Sequence, residues 1–358
     1  MISLQIGLAV AGGLVLAGVV ALGTWSARKN QPKMATPELV PDKPAAAAPG
    51  ELSAEATADR YEPSFDADSG LGALSSLSIL MALEKKPGLD ALIDVIAPVA
   101  LESVVSGEAA LAAMPATRRA GSKPFGVEGL SAATGEWEFP TAGQRYSAFQ
   151  CGVQLANRVG ALNQIEYSEF VMKTQAFADA IGGEPEFPEM LDEVARAREL
   201  DQFASAHDAQ LSFTLRALHT AWSPGYVQQS AARAGFVAGS IPGRMVLPSG
   251  QQGGAPILGL AFDTQAAMAD DPEQTALREV TLSLDVPQVL RSEQPFMRMR
   301  EAAIAFAAKM DGAIIDDNGN PIPSDAMDVI GSELEQLYDT LDGRDLSAGS
   351  VLARRLFS

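Results

Sequence analysis

The chain is poor in the residue types that most enzymes and nucleic-acid-binding proteins need. Its 358 residues include one cysteine, Cys151, and two histidines, His207 and His219. A single cysteine cannot form an intrachain disulfide, which is typical of a reducing compartment. Only 26 Lys and Arg stand against 45 Asp and Glu, which gives a net charge of −19. Because nucleic acids bind basic surfaces, this charge argues against a nucleic-acid partner.

The sequence also shows no convincing catalytic or metal-binding motif. Asp316, Asp317 and Asn318 weakly resemble a calcium loop, but the alternating ligands and the closing glutamate of that loop are missing. Cys151 has no histidine near it in the sequence, so a buried core thiol is a better interpretation than a nucleophile. We therefore predict a protein that is not an enzyme, with no cofactor and no metal. A hydrolytic enzyme stays the alternative from another class.

What the sequence does have at its start is a long apolar run. Residues 2–25 carry no charge, and 24 residues of helix span ~36 Å, more than the ~30 Å hydrocarbon core of a bilayer. Arg28, Lys29 and Lys33 follow the run, so the positive-inside rule places the C-terminal side in the cytoplasm and Met1 in the periplasm. We predict a single-pass anchor over residues 1–27. A cleaved signal peptide is the weaker alternative, because its positive charges would precede the run.

Two further features belong to this first part of the chain. Gly13 and Ala17 form a small-xxx-small pair that would permit self-association of the anchor, although small residues are common in membrane helices. Residues 28–70 are rich in proline, alanine and acid, which predicts a disordered tether. Residues 71–83 carry a broad apolar face. That face predicts a helix that packs on the following domain or lies on the membrane surface.

The clearest pattern lies near the C-terminus, between Glu279 and Leu341. Apolar residues alternate from Val280 to Val286, which predicts a strand with one buried face that ends at Pro287. The pattern then predicts a helix over 296–310 stopped by Gly312, a hairpin with a type I′ turn at Asn318-Gly319, and a last helix capped by Ser324. The order of elements is strand, helix, hairpin, helix.

These segments resemble the C-terminal domain of ZipA, the bacterial membrane anchor of the division tubulin FtsZ. The matching features are VTLSLDVP, the helix ending in KMDG, the AIIDDNG hairpin and the final amphipathic helix. The resemblance extends back through GLAFD and YVQQSAARAGF to AQLSFTLRA, which begins at Ala209. It implies an α+β fold of two layers, a sheet with helices on one side, for residues 206–358.

Residues 71–205 repeat the same order of elements in degenerate form. AFADAIGG at 176–183 aligns with AFAAKMDG at 305–312, and a predicted strand at 91–97 matches the one at 209–215. A helix over 107–119 and a strand over 152–156, with Val153 and Leu155 inward, complete the parallel. We therefore predict a second ZipA-like domain produced by internal duplication.

The resemblance implies an inner-membrane tether that binds the C-terminal tail of FtsZ and stabilises or bundles its filaments at the septum during cell division. An adaptor for a different cytoplasmic peptide is the alternative, because the family has an aromatic residue where this chain has Ser283. The tail would lie on the open face of the sheet, with the strand 258–262 between the strands 210–215 and 281–285. The expected partner-binding residues are Gln210, Ser212, Thr214, Ile241, Arg244, Leu260, Phe262, Thr281, Ser283 and Asp285. Among them, Leu260 and Phe262 would supply the apolar surface.

Overall fold

The computed structural model describes residues 32–35 and 88–358, except residues 252, 270, 272–274 and 317. The predicted anchor, most of the predicted tether and the predicted helix at 71–83 lie outside the described residues. Within the described part, strands and helices form an α+β fold, as the sequence predicts. No helix in that part is both long and apolar enough to cross a bilayer.

The first unit, residues 88–207, combines an antiparallel sheet with helices. The elements are β1 (Asp94–Ser106), α1 (Gly107–Ala113), β2 (Arg119–Ala120), β3 (Lys123–Ser131), β4 (Trp137–Glu138), β5 (Arg145–Gln154), β6 (Ala156–Asn157), β7 (Gly160–Ala161), α2 (Gln164–Ile181), β8 (Gly183–Pro185) and α3 (Met190–His207). The order of strands in the sheet is β2-β3-β5-β1-β8, with β4 beside β3. The long helix α2 begins with a capping box between Asn163 and Glu166 and ends at Gly182 in the left-handed conformation.

The second unit, residues 209–358, also combines an antiparallel sheet with helices. The elements are β9 (Gln210–Ala217), α4 (Pro224–Arg233), β10 (Val237–Ala238), β11 (Arg244–Leu247), β12 (Leu258–Ala261), α5 (Thr264–Ala267), β13 (Glu279–Asp285), α6 (Pro295–Met310), β14 (Gly312–Ile315), α7 (Ser324–Asp342) and α8 (Val351–Leu356). The order of strands in the sheet is β10-β11-β12-β13-β9-β14. Two short 3-10 turns, Val286–Gln288 and Arg291–Glu293, separate β13 from α6.

The two sheets share the placement of their central strands. In the first, β1 lies between β5 and β8; in the second, β9 lies between β13 and β14. In each unit the long helix α2 or α6 connects the two outer members of that trio, and another long helix, α3 or α7, follows. Both sheets have six strands: in the first, β4 lies beside β3 off the main order, whereas in the second all six strands follow one another in a single order.

Each helix layer packs on the alternating apolar residues of its sheet. In the first unit, Phe149 of β5 meets Phe177 of α2 edge to face, with ring centroids 5.4 Å apart. In the second, Phe213 of β9 meets Phe296 of α6 at 6.3 Å. The predicted inward residues are confirmed: Val153 and Leu155 are 0% exposed, and Leu282 and Leu284 are at most 2% exposed.

Several predicted boundaries are wrong. Asp311, with φ of 60°, takes the left-handed position after α6, and Gly312 already belongs to β14. Ser324 is the first residue of α7 and its side chain does not cap it; Pro323 stands at the N-cap. The turn after β14 closes with the Gly319 amide on the Asp316 carbonyl at 3.0 Å, one residue earlier than a turn centred on Asn318-Gly319.

In the first unit, β1 begins three residues later than predicted and runs to Ser106, while α1 ends at Ala113 rather than 119. The strand predicted over 152–156 overlaps the end of β5, which runs from Arg145 to Gln154, and the start of β6 at Ala156. The last helix, α8, has no counterpart among the predictions. Pro32–Ala35, predicted as part of the tether, lie against the second unit, where Lys33 pairs with Trp222.

Candidate functional site

The candidate site is the face of the second sheet opposite the helices. Residues directly opposite each other on antiparallel neighbours share a face, so two cross-strand rows define this open face. The first row is Val246, Gly259, Ser283 and Ser212; the second is Arg244, Ala261, Thr281 and Thr214. All eight residues are exposed or half-buried, whereas most of their neighbours along the strands are buried.

Two of the predicted site residues are not on this face. Leu260 lies opposite Leu282, which lies opposite Phe213, and all three pack toward the helices. Leu260 is 2% exposed and Phe262 is 8% exposed. The prediction took the apolar members of the strand as a binding surface, but in a strand with one covered face the apolar members fill the core. The strand β12 also lies outside β13, not between β13 and β9.

The apolar surface on this side of the sheet lies instead at the edge formed by β10 and β11. Val237 is 50% exposed and lies opposite Val246, while Ile241 is 48% exposed in the turn between the two strands. We call Val237, Ile241 and Val246 the edge patch. Of these, only Ile241 is among the residues that the sequence predicts for the site. The alternation of Arg244, Met245 and Val246, with Met245 buried, was the signal that placed Val246 outward.

Between the edge patch and β9 the open face is lined by small residues. Gly259 and Ala261 of β12 lie beside Ser283 and Thr281 of β13, and the Ser283 hydroxyl donates to the Gly259 carbonyl at 3.4 Å. Because these side chains are short, another chain can approach the strand backbone closely. Arg244 lies in the same face and forms no ion pair with any described residue, so it is the cation available to a ligand here.

At the far end of the face, two predicted site residues are held by the first unit. Arg158, in the turn between β6 and β7, donates twice to Asp208, at 2.8 and 2.6 Å, and twice to Asp285, at 2.7 and 2.8 Å. These hydrogen bonds to Asp208 and Asp285 raise the pKa of the Arg158 guanidinium. With its amide oxygen turned toward Arg158, Gln210 also accepts at 3.0 Å. Gln210 and Asp285 therefore join the two units.

The corresponding face of the first sheet is occupied by the chain itself. Gly126, Gly152 and Ile96 lie side by side on β3, β5 and β1. The Leu89 side chain lies over this glycine pair, since a Cβ on Gly152 would be 2.5 Å from Leu89 Cδ2. The Leu89 amide donates to Glu128 Oε1 at 2.9 Å. The residues that enter the first unit thus cover part of its open face.

The reactive side chains singled out in the sequence lie on separate elements. Cys151, on β5, is 0% exposed, and burial raises the pKa of its thiol to about 12, which fits the predicted core thiol. His207 ends α3 and contacts the Phe203 carbonyl at 2.7 Å, whereas His219 follows β9 and contacts Asp311 at 3.1 Å. Among the described residues, no group of three or more His, Cys, Asp or Glu is placed to hold a metal ion.

No protein-family model matches this chain, and no curated protein shows significant similarity to it.

Proposed function

We propose that the protein is a membrane tether that binds the C-terminal tail of FtsZ on the open face of its second sheet. The observation that carries the proposal is the sheet itself, whose helices pack on one face and leave the other exposed. The resemblance of residues 209–341 to the ZipA C-terminal domain supplies the partner. The proposal is of a binding protein, not an enzyme, that stabilises or bundles FtsZ filaments at the division site.

The chemistry of the face suits a peptide with one apolar and one acidic anchor. An apolar side chain that buries fully on the edge patch would contribute about 1.5–3 kcal/mol. The peptide backbone would pass over Gly259 and Ala261, and an acidic side chain would meet Arg244. Binding of an amphipathic helix through its apolar face to a hydrophobic surface is a common mode of peptide recognition. Since Ser283 offers no aromatic surface, we expect weaker binding than a face with an aromatic residue there.

The proposal extends to the origin of the two units and to the membrane topology of the chain. We infer that the two units arose by duplication, which the shared order of β5, β1 and β8 with β13, β9 and β14 supports. We also propose that residues 2–25 span the inner membrane, with Met1 in the periplasm and the two units in the cytoplasm. A reporter at Ser358 that becomes active only after export would contradict this topology.

A second candidate function is an adaptor for a different cytoplasmic peptide. The observation that favours it is the polarity of the open face, where Ser212, Thr214, Thr281 and Ser283 line adjacent strands. Because Leu260 and Phe262 are buried, the edge patch is the main apolar part of the open face. A more polar peptide would then be the better ligand.

Titration of the full-length protein, in lipid nanodiscs, with the FtsZ tail peptide tests the two candidates. We expect Val246→Asp to lower the affinity at least tenfold, because it places a charge in the edge patch. Val329→Asp, at a 56% exposed position of α7, is the matched control and should leave the affinity unchanged. Circular dichroism checks that both variants fold. If the wild type does not bind the peptide, the adaptor for another peptide is favoured. If both variants bind with the affinity of the wild type, the open face is not the binding site.

A further inference from the structure

The segment Pro32–Ala35 forms a strand-like contact with the second unit, far away in the sequence. The Lys33 amide donates to the Ala221 carbonyl at 2.7 Å, and the Ser223 amide donates to the Lys33 carbonyl at 2.9 Å. These two bonds make a parallel bridge to Trp222, which in turn pairs antiparallel with Leu277. Lys33 is therefore the third member of a small ladder.

The Lys33 side chain makes a second contact at the end of α6. Its ammonium donates to the Met310 carbonyl at 2.9 Å and lies 3.7 Å from the Asp311 carboxylate. Met310 is the last residue of α6, where carbonyls lack helical partners and a cation is favoured by the helix dipole. The same carbonyl accepts the Trp222 indole N–H at 2.8 Å. The Lys33 ammonium and the Trp222 indole therefore both donate hydrogen bonds to a carbonyl that has no partner within the helix.

The contact is made to the rigid core of the unit. Trp222 is the largest fully buried side chain of the described residues. Lys33 itself is half-buried, with 30% of its side chain exposed. A single bridge with one charged contact is a weak interaction between separate molecules, but here both partners are in one chain, so the local concentration of each is high.

At the other end of the same connecting segment, the chain is also fixed. Gly88 accepts from Arg355 at 2.9 Å, and Leu89 lies over Gly126 and Gly152 on the first sheet. Lys33 is thus bound to the second unit and Leu89 to the first, while Gly88 contacts Arg355 of the second unit. The connecting residues 36–87, whatever their conformation, begin and end at fixed points on the two units.

We propose that Pro32–Ala35 is a docking segment that clamps the second unit to the start of the chain. The distance of the second unit from residue 25 is then limited by the contour length of residues 26–32, and not by the longer stretch 36–87. The docking stands on the contacts above; its consequence for the membrane rests on the proposed function. If the bilayer ends near Trp25, seven residues lie between it and Lys33, and the eight residue steps reach at most about 29 Å. The second unit would therefore stay beside the bilayer.

Double electron–electron resonance, which measures the distance between two spin labels, tests the docking in the full-length protein. The labels go on Met34→Cys and Leu218→Cys, which replace residues that are 49% and 57% exposed; Cys151 is fully buried and stays unlabelled. We expect one narrow, short distance. If Lys33 were not docked, it would be joined to Leu89 only through about 55 intervening residues, and a flexible chain of that length gives a broad distribution of distances, on the order of 40 Å.

Two variants show whether the bridge causes the short distance. Lys33→Pro removes the amide donor and should give the broad distribution, whereas Lys33→Arg keeps the backbone bonds and a cation and should keep the narrow one. In unlabelled protein, hydrogen exchange at the Ser223 amide should be slow in the wild type and at least tenfold faster in Lys33→Pro. A broad distribution in the wild type, or a narrow one in Lys33→Pro, would overturn the proposal.

A separate measurement tests the consequence for the membrane. Energy transfer from a dye on Leu218→Cys to acceptor lipids in nanodiscs should be efficient and should fall in Lys33→Pro. Equal transfer in both would contradict the clamp to the bilayer. If the full-length protein does not associate with bilayers while the spin-label distance stays narrow, the anchor in the proposed function fails and the docking stands.

Discussion

Arg355 Nη2, in the last helix, donates to the carboxylate of Asp94 at 2.6 Å, across 261 positions of sequence. Asp94, at the start of β1, is 0% exposed, and 18% of the Arg355 side chain is exposed. The same arginine donates to the Gly88 carbonyl at 2.9 Å, and its own carbonyl accepts from Gln154 at 2.8 Å. The end of the chain is thus fastened to the beginning of the first unit, so α8 holds the two units together.

We expect Arg355→Met to destabilise the protein by about 3–5 kcal/mol, because it leaves the buried Asp94 carboxylate without its partner. Arg354→Met is the matched control, since that neighbouring arginine donates to the Gly253 carbonyl at the surface. Chemical denaturation measures both. A loss in the control as large as in Arg355→Met would show that α8 is generally sensitive and that the pair is not special. Restoration by Asp94→Asn in the Arg355→Met background would show that the unpaired charge causes the loss.

The same pair predicts a dependence on pH. Burial raises the pKa of Asp94 in the folded protein, and Arg355 opposes the rise. Without Arg355 the folded pKa rises further above the unfolded value, so the folded state binds the proton more tightly than the unfolded state. The Arg355→Met variant should therefore lose least stability below pH 3.8 and progressively more as pH rises through the folded pKa. A loss that does not change with pH would contradict this assignment.

The Cys151 thiol should be unreactive toward alkylating reagents in the folded protein. Its thiol is 0% exposed, and burial raises its pKa to about 12, so almost no thiolate is present at pH 8. We expect no reaction with a maleimide in the native state and rapid reaction in denaturant. Val159→Cys, at a 74% exposed position, is the positive control and should react at once. Fast labelling of Cys151 in folded wild type would mean that the first unit opens readily.

The position of the Leu89 side chain over Gly126 and Gly152 can be tested by substitution. Gly152→Ala places a methyl group 2.5 Å from Leu89 Cδ2, whereas at Gly126 the corresponding distance is 3.3 Å. We expect Gly152→Ala to cost about 1–3 kcal/mol of stability, as overpacking does, and Gly126→Ala to cost less. Leu89→Ala should relieve most of the cost of Gly152→Ala. If the double variant is as unstable as the sum of the single ones, Leu89 does not occupy this position.

The alternating and helical patterns of the sequence predicted the elements that pack on one another. Val280 to Leu284 and the stripe of α6 are buried as their spacing required, because period two and period 3.6 each leave a single covered face. Alternation also contains the information that Leu260 is inside. Leu260 is wrong as a predicted binding residue because its apolar side chain fills the core.

The long-range contacts had no local signal. Arg158 reaches Asp208 and Asp285, and Lys33 reaches Met310, only because the fold brings distant segments together. The composition of residues 28–70 predicts a tether because so few of its residues are apolar. It says nothing of a single residue whose amide, carbonyl and ammonium all find partners on a neighbouring unit.

Arg244 gives the most direct test of where a peptide lies on the open face. Arg244→Glu should lower the affinity for the FtsZ tail peptide two- to fivefold, which corresponds to about 0.4–1 kcal/mol for an exposed ion pair. The effect should shrink as salt is added, because salt screens exposed charges. Arg233→Glu, at the exposed end of α4, changes the net charge equally and is the matched control. Titration calorimetry at two salt concentrations measures all three proteins. Equal losses in the two variants would mean that the peptide senses only the net charge of the protein, and that the face around Arg244 is not its site.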